Sequence, residues 1–113
     1  MKDVDAIFSN LGQYTSGYEL KYNKFYVGLS KDGVAKNFIS FKPKKSFLHF
    51  IFKTNENTEL TKKIEDAGLD VTYENRWRQY RVKLQGFDDY KKHEELIKEC
   101  VETAMDYFNI SDL

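Results

Sequence analysis

Three arginines and a tryptophan lie together in the hexapeptide RWRQYR, at 76 to 81, and the chain has no other residue of either type. Arg76, Arg78 and Arg81 each carry a planar guanidinium, which can bind a phosphate or carboxylate through two hydrogen bonds and can stack on an aromatic ring. Trp77 adds a flat face for a nucleobase or for a side chain of a partner protein. These residue types indicate a clamp for an anionic ligand.

The same hexapeptide also has a purely structural interpretation. Long arginine side chains at a hairpin turn often only cover nearby aromatic surface. Asp70 and Glu74 are close enough in sequence to pair with the arginines. Both interpretations stay open. Strand alternation predicts that Arg81 shares a face with Lys83, whereas Arg78 is in register with the inward Tyr80 unless the turn rotates it outward.

A second basic cluster is KPKK, where Lys42, Lys44 and Lys45 flank the only proline. Lysines bind phosphates as point charges. Taken alone, such a segment is more often a solvated turn that keeps the end of a sheet soluble. The cluster becomes informative if the fold places it beside Arg81, Lys83 and Lys24.

Charge is strongly segregated along the chain, although the formal net charge is zero. Residues 21 to 53 contain eight lysines and one aspartate, and residues 76 to 87 contain three arginines, one lysine and no acidic residue. We call these two segments the basic blocks. Acidic residues concentrate in the remaining segments, so a fold that joins the basic blocks would create a positive surface on a neutral protein.

Known catalytic and metal-binding motifs are not found in this sequence. It has no G-x-G-x-x-G, P-loop, H-E-x-x-H or nucleophile-elbow pattern. His49 and His93 have no second ligand at metal spacing, and Cys100 is the only cysteine. We therefore predict no metal and no cofactor. Enzymatic activity stays open, but the sequence favours a binding module.

The lone cysteine excludes an intramolecular disulfide and favours a reducing, cytoplasmic location. The N-terminal segment does not have the pattern of a signal peptide, and no apolar run approaches the roughly 20 residues of a membrane-spanning helix. We accordingly expect no membrane insertion.

Hydrophobic periodicity predicts one α+β domain over residues 1 to 113. Its order is α-β-β-β-α-β-β-α, with helices on one face of a mainly antiparallel sheet of about five strands. The helices are expected at 3 to 11, 58 to 68 and 89 to 108, the last capped by Asp88, and the strands at 24 to 30, 37 to 42, 46 to 53, 69 to 73 and 79 to 84. In the first strand, Phe25, Val27 and Leu29 are expected to face the core.

Both basic blocks coincide with predicted strands, whereas the acidic segments hold the helices. The sheet face that points away from the helices should therefore be basic, with flat rings between the cations. The residues expected on it are Lys24, Tyr26, Lys42, Phe47, His49, Arg81 and Lys83. A mixture of cations and rings suits a polyanion.

The stretches KFYVGLS and NFISFKPKKSFLHFIFK, followed by AGLDV, RQYRVKL and LIKECVETAMDYF, resemble a small uncharacterised bacterial domain. Such domains occur at the C-termini of predicted transport proteins and of restriction- or defence-associated proteins. The resemblance covers about residues 20 to 108 and rests on the strand pattern with Asn37, Phe38, Pro43, Lys44 and Lys45. It implies an accessory role, exercised in trans or within a complex, and brings no catalytic residues.

The sequence thus supports two hypotheses. In the first, the protein is a non-catalytic module that binds nucleic acid, in a bacterial or phage defence setting that comes from the resemblance alone. Phosphates would meet Arg76, Arg78, Arg81, Lys42, Lys44, Lys45 and Lys83, and bases would stack on Trp77, Tyr26 and Phe47. In the alternative, it is a protein-interaction or inhibitor module whose arginine and tryptophan cluster is a hot spot for an acidic partner or for self-association.

Overall fold

A computed structural model describes residues 2 to 110, which form five helices and seven strands around one core. The helices are α1 (Lys2–Asn10), α2 (Gly12–Thr15), α3 (Thr58–Asp66), α4 (Phe87–Lys92) and α5 (Glu94–Tyr107). The strands are β1 (Glu19–Tyr22), β2 (Val27–Lys31), β3 (Val34–Ala35), β4 (Ile39–Pro43), β5 (Leu48–Lys53), β6 (Val71–Glu74) and β7 (Gln79–Leu84).

The strands form a single antiparallel sheet in the order β1-β2-β4-β5-β7-β6, and β3 adds to β2. This confirms the predicted α+β class and antiparallel sheet. Two strands were missed. The residues of β1 are mostly polar and exposed, so their spacing does not indicate a strand with one buried face. β3 is only two residues long.

The core lies between the helices and one face of the sheet. Phe41, Phe50 and Val82 are register partners on β4, β5 and β7, and all three side chains are fully buried. Ile64 of α3 and Ile97 of α5 are fully buried in the same cluster. The helices therefore cover this one face, as predicted, and the other face of β4, β5 and β7 points away from the core.

Three details of the prediction were wrong. Phe25 is 72% exposed, because β2 begins only at Val27. The long C-terminal helix is broken at His93 into α4 and α5. Asp88 does not cap it: Gly86 occupies that position, and the Phe87 amide donates to Oδ1 of Asp3, 3.2 Å away.

In the part of the chain that the structure describes, no helix is both long and apolar enough to cross a membrane.

Candidate functional site

The sheet face opposite the core brings the two basic blocks side by side. Lys42 on β4 is the register partner of His49 on β5, which is in turn the partner of Lys83 on β7. Neighbouring strands are about 4.8 Å apart, so this row spans roughly 10 Å. We call this surface the outer face; its strand residues are Ser40, Lys42, His49, Ile51, Lys53, Gln79, Arg81 and Lys83.

Aromatic rings lie among these cations, as expected for Phe47. The Lys83 ammonium lies 4.5 Å from the centre of the Phe47 ring, within cation–π range. The Phe47 and His49 rings meet edge to face, with centroids 5.2 Å apart. The outer face therefore carries a small aromatic platform at the end where β4 and β5 are joined.

His49 lies at the centre of the positive charge. Its Nδ1 is buried and has no hydrogen-bond partner among the described residues. Burial lowers the pKa of His49 below its ordinary value of 6.5, and the charges of Arg81 and Lys44, followed by those of Lys42 and Lys83, lower it further. Both effects favour the neutral imidazole. Four cations from both basic blocks act on this one group.

Arg81 is partly balanced by an acid. Its guanidinium lies 3.6 Å from a carboxylate oxygen of Glu74 on β6, and both side chains are about one-third exposed. Gln79 donates to the other oxygen of Glu74, at 2.7 Å. Glu74 thus offsets part of the positive charge that Arg81 brings to the outer face.

Arg76, Trp77 and Arg78 lie at the tip of the β6–β7 hairpin. Trp77 is 55% exposed, and the guanidinium carbon of Arg76 lies 5.1 Å from its ring. Arg78 has a positive φ of 50°, and its Nη1 donates to Oδ1 of Asn55 at 2.8 Å. The turn therefore rotates Arg78 out of the inward register of Tyr80. The three arginines do not form one clamp, since Arg81 is on the outer face and the other two are at the tip.

Lys44 and Lys45 lie exposed in the loop between β4 and β5, which is closed by a hydrogen bond from the Lys44 amide to the Phe47 carbonyl. Lys44 is close enough to affect the pKa of His49. Lys24 is in the loop before β2, with its ammonium 5.5 Å from the Phe25 ring. The KPKK cluster is thus at the same end of the outer face as Lys83.

A depression of about 220 Å³ opens on the outer face beside this row. It is lined by Phe25, Tyr26, Asn37, Ser40, Lys42, Ile51, Lys53 and Gln79. Of these, only Tyr26 and Lys42 were predicted as site residues. Asn37 and Phe25 lie in connections, and strand periodicity does not predict the path of a connection. Ser40, Lys53 and Gln79 are isolated polar residues that belong to no recognisable motif.

Metal-ligating and nucleophilic side chains were also compared with the structure. No group of three or more histidine, cysteine or acidic side chains is placed to hold a metal within residues 2 to 110. Cys100 is fully buried on α5, and burial raises the pKa of its thiol, so it is a core residue and not a nucleophile.

Comparison of the chain with protein-family models, with curated proteins and with solved structures finds no match. The outer face and the hairpin tip are therefore the features of the molecule from which a function can be inferred.

Proposed function

We propose that the protein is a non-catalytic module that binds nucleic acid through its outer face. The observation that carries this proposal is the row Lys42, His49 and Lys83, which joins the two basic blocks of the sequence on one side of the sheet. In a chain with no net charge, such a concentration of cations provides a local attraction for a polyanion.

The composition of the surface also supports a nucleic acid over a simple anion. Ammonium groups of Lys42 and Lys83 would contact phosphates, while the Phe47 ring offers an aromatic surface beside Lys83. Cations interleaved with flat rings are the usual arrangement in proteins that bind single strands, because the backbone and the bases are contacted together. Lys44 and Lys45, in the adjoining loop, extend the positive surface at one end.

The proposal is tested by fluorescence anisotropy with labelled single-stranded DNA and RNA over a range of salt concentrations. We expect binding at low ionic strength that weakens linearly on a plot of log affinity against log salt, because bound cations release counterions from the nucleic acid. Absence of binding to either polymer at low ionic strength would contradict the proposal.

A protein-interaction module is the second candidate, and the exposed Trp77 favours it. Trp77 with the stacked Arg76 is at the hairpin tip, away from the His49 row, and tryptophan and arginine are enriched in interface hot spots. An acidic partner or a second copy of the chain would suit this tip. Pull-downs with the Trp77→Ala and Arg78→Glu variants test it, since a hot spot would lose its partner in both.

The biological setting is also part of the proposal. A cytoplasmic location is supported by the buried, unpaired Cys100. A role in bacterial or phage defence is supported only by the resemblance of residues 20 to 108 to a domain found in restriction- and defence-associated proteins.

A further inference from the structure

One wall of the depression on the outer face is formed by Tyr26 and Asn37, which pack over a glycine. Gly28, on β2, has no side chain, and a Cβ there would overlap Oδ1 of Asn37 and lie 3.0 Å from Cε2 of Tyr26. The ring and the amide therefore converge above a position that only glycine leaves open. Oδ1 of Asn37 also accepts a hydrogen bond from the Leu29 amide at 2.8 Å, which orients the side chain.

The two amides at the depression present opposite hydrogen-bonding groups. Because the Leu29 amide uses Oδ1 of Asn37, the Nδ2 group supplies the donors of that side chain. Gln79 uses its Nε2 to donate to Glu74, so its Oε1 supplies the acceptor. The donors of Asn37 and the acceptor of Gln79 thus flank β5 on two sides of the depression, where a polar ligand can use either.

The other residues of the depression suit a flat ring attached to a phosphate. Phe25 and Tyr26 provide aromatic faces, and the buried side chain of Ile51 forms an apolar floor. Lys42 and Lys53 line the same depression and are half-buried, so their ammonium groups can reach phosphates while the stems pack on the sheet. A volume of about 220 Å³ is below the range typical of drug-sized ligands and is suited to a single heterocycle.

From this arrangement we infer that the depression receives one unpaired nucleobase, stacked on Tyr26 and Phe25, with the flanking phosphates on Lys42 and Lys53. The preferred ligand is therefore single-stranded, because a base held in a duplex presents neither its face nor its pairing edge. This inference rests on the proposed function. It adds that the nucleic acid is single-stranded, and it names the residues that hold one of its bases.

The test compares a short mixed-sequence DNA strand with a strand of the same length and phosphate number that lacks bases. Both are titrated with the full chain at one low salt concentration. Wild-type protein should bind the base-free strand about tenfold more weakly, because stacking of each base on an aromatic side chain contributes a factor of this order. Tyr26→Leu should weaken binding of the intact strand by a similar factor and leave binding of the base-free strand unchanged.

Tyr107→Leu is the matched control, since Tyr107 is an exposed tyrosine at the end of α5, on the helical side of the protein. It should bind both strands as the wild type does. Equal affinity of the wild-type protein for the two strands would overturn the base site and leave the proposed function standing. Failure of the wild type to bind either strand would overturn both.

Discussion

The ammonium of Lys83, on β7, lies 4.5 Å from the centre of the Phe47 ring, in the loop before β5. This contact joins the two basic blocks directly, although the two residues are 36 positions apart in the chain. It also places a cation beside an aromatic ring, the combination on which the proposed function rests. The pairing of β5 with β7 is what brings these two residues together.

Replacing Lys83 tests whether the outer face contacts phosphates. Lys83→Gln should reduce the slope of log affinity against log salt by about one, since each phosphate contact contributes close to one unit. Lys62→Gln is the control, because Lys62 is an exposed lysine on α3 that pairs with Asp66. Its slope should match that of the wild type. The same reduction in both variants would mean that net charge, and not the outer face, determines binding.

Trp77 separates the two candidate functions. The strand from Lys83 to Gln79 extends roughly 13 Å, and Trp77 lies beyond its end. We therefore expect Trp77→Ala to change nucleic-acid affinity little and to change the free energy of unfolding by less than about 0.5 kcal/mol. If the tip is instead a protein hot spot, the variant should bind the partner protein more weakly by at least about 2 kcal/mol of binding free energy, which is roughly thirtyfold in affinity. Isothermal titration calorimetry measures either loss.

Much of the fold could be predicted because the strands and helices that form the core have strong periodicity. The alternation of Tyr80, Val82 and Leu84 in QYRVKL gave the bounds of β7 correctly, and all three residues are buried. The break at His93 could not be predicted, since the apolar spacing continues across it. The position of β1 at the sheet edge could not be predicted either, because it depends on pairing with β2 and the polar sequence of β1 does not indicate that pairing.

The candidate site was predictable only where it follows strand alternation. Alternation correctly assigned Arg81 and Lys83 to the outer face and separated them from Tyr80. The position of Arg78 required the positive φ of the turn, which depends on local backbone geometry. The convergence of Tyr26 and Asn37 could not be predicted, because it depends on the tertiary contact of both side chains with Gly28.

The pKa of His49 should report the positive charge around it. Arg81→Gln removes the largest of the four charge effects that lower this pKa, so the His49 midpoint should rise toward its ordinary value of 6.5. Lys62→Gln, which alters a lysine on α3, should leave it unchanged. An NMR titration of the imidazole protons measures both midpoints. A midpoint that is equal in wild type and Arg81→Gln would show that the charge of Arg81 does not contribute to the shift.

The same shift links stability to pH. Because the pKa of His49 is lower in the folded protein, the unfolded chain binds this proton more readily, and the free energy of unfolding rises with pH. The folded state should therefore lose stability as pH falls from 6.5 through the lowered pKa. Urea unfolding across this window should show a smaller loss for His49→Gln than for the wild type. A parallel pH dependence in the two proteins would exclude His49 as its source.

Substitution at Gly28 tests whether the wall of the depression is built on the absence of a side chain. In Gly28→Ala the new Cβ would overlap Oδ1 of Asn37, so the amide must move and its hydrogen bond with Leu29 weakens. We expect a loss of about 1 to 3 kcal/mol in the free energy of unfolding, the usual cost of overpacking, measured by urea denaturation. Gly12→Ala is the control, because a Cβ at Gly12, in α2, meets no atom within 4 Å. That variant should be as stable as the wild type or more so, since alanine restricts the unfolded chain. Equal stability of the two variants would mean that Asn37 and Tyr26 are free to move aside, and that the depression is not preformed.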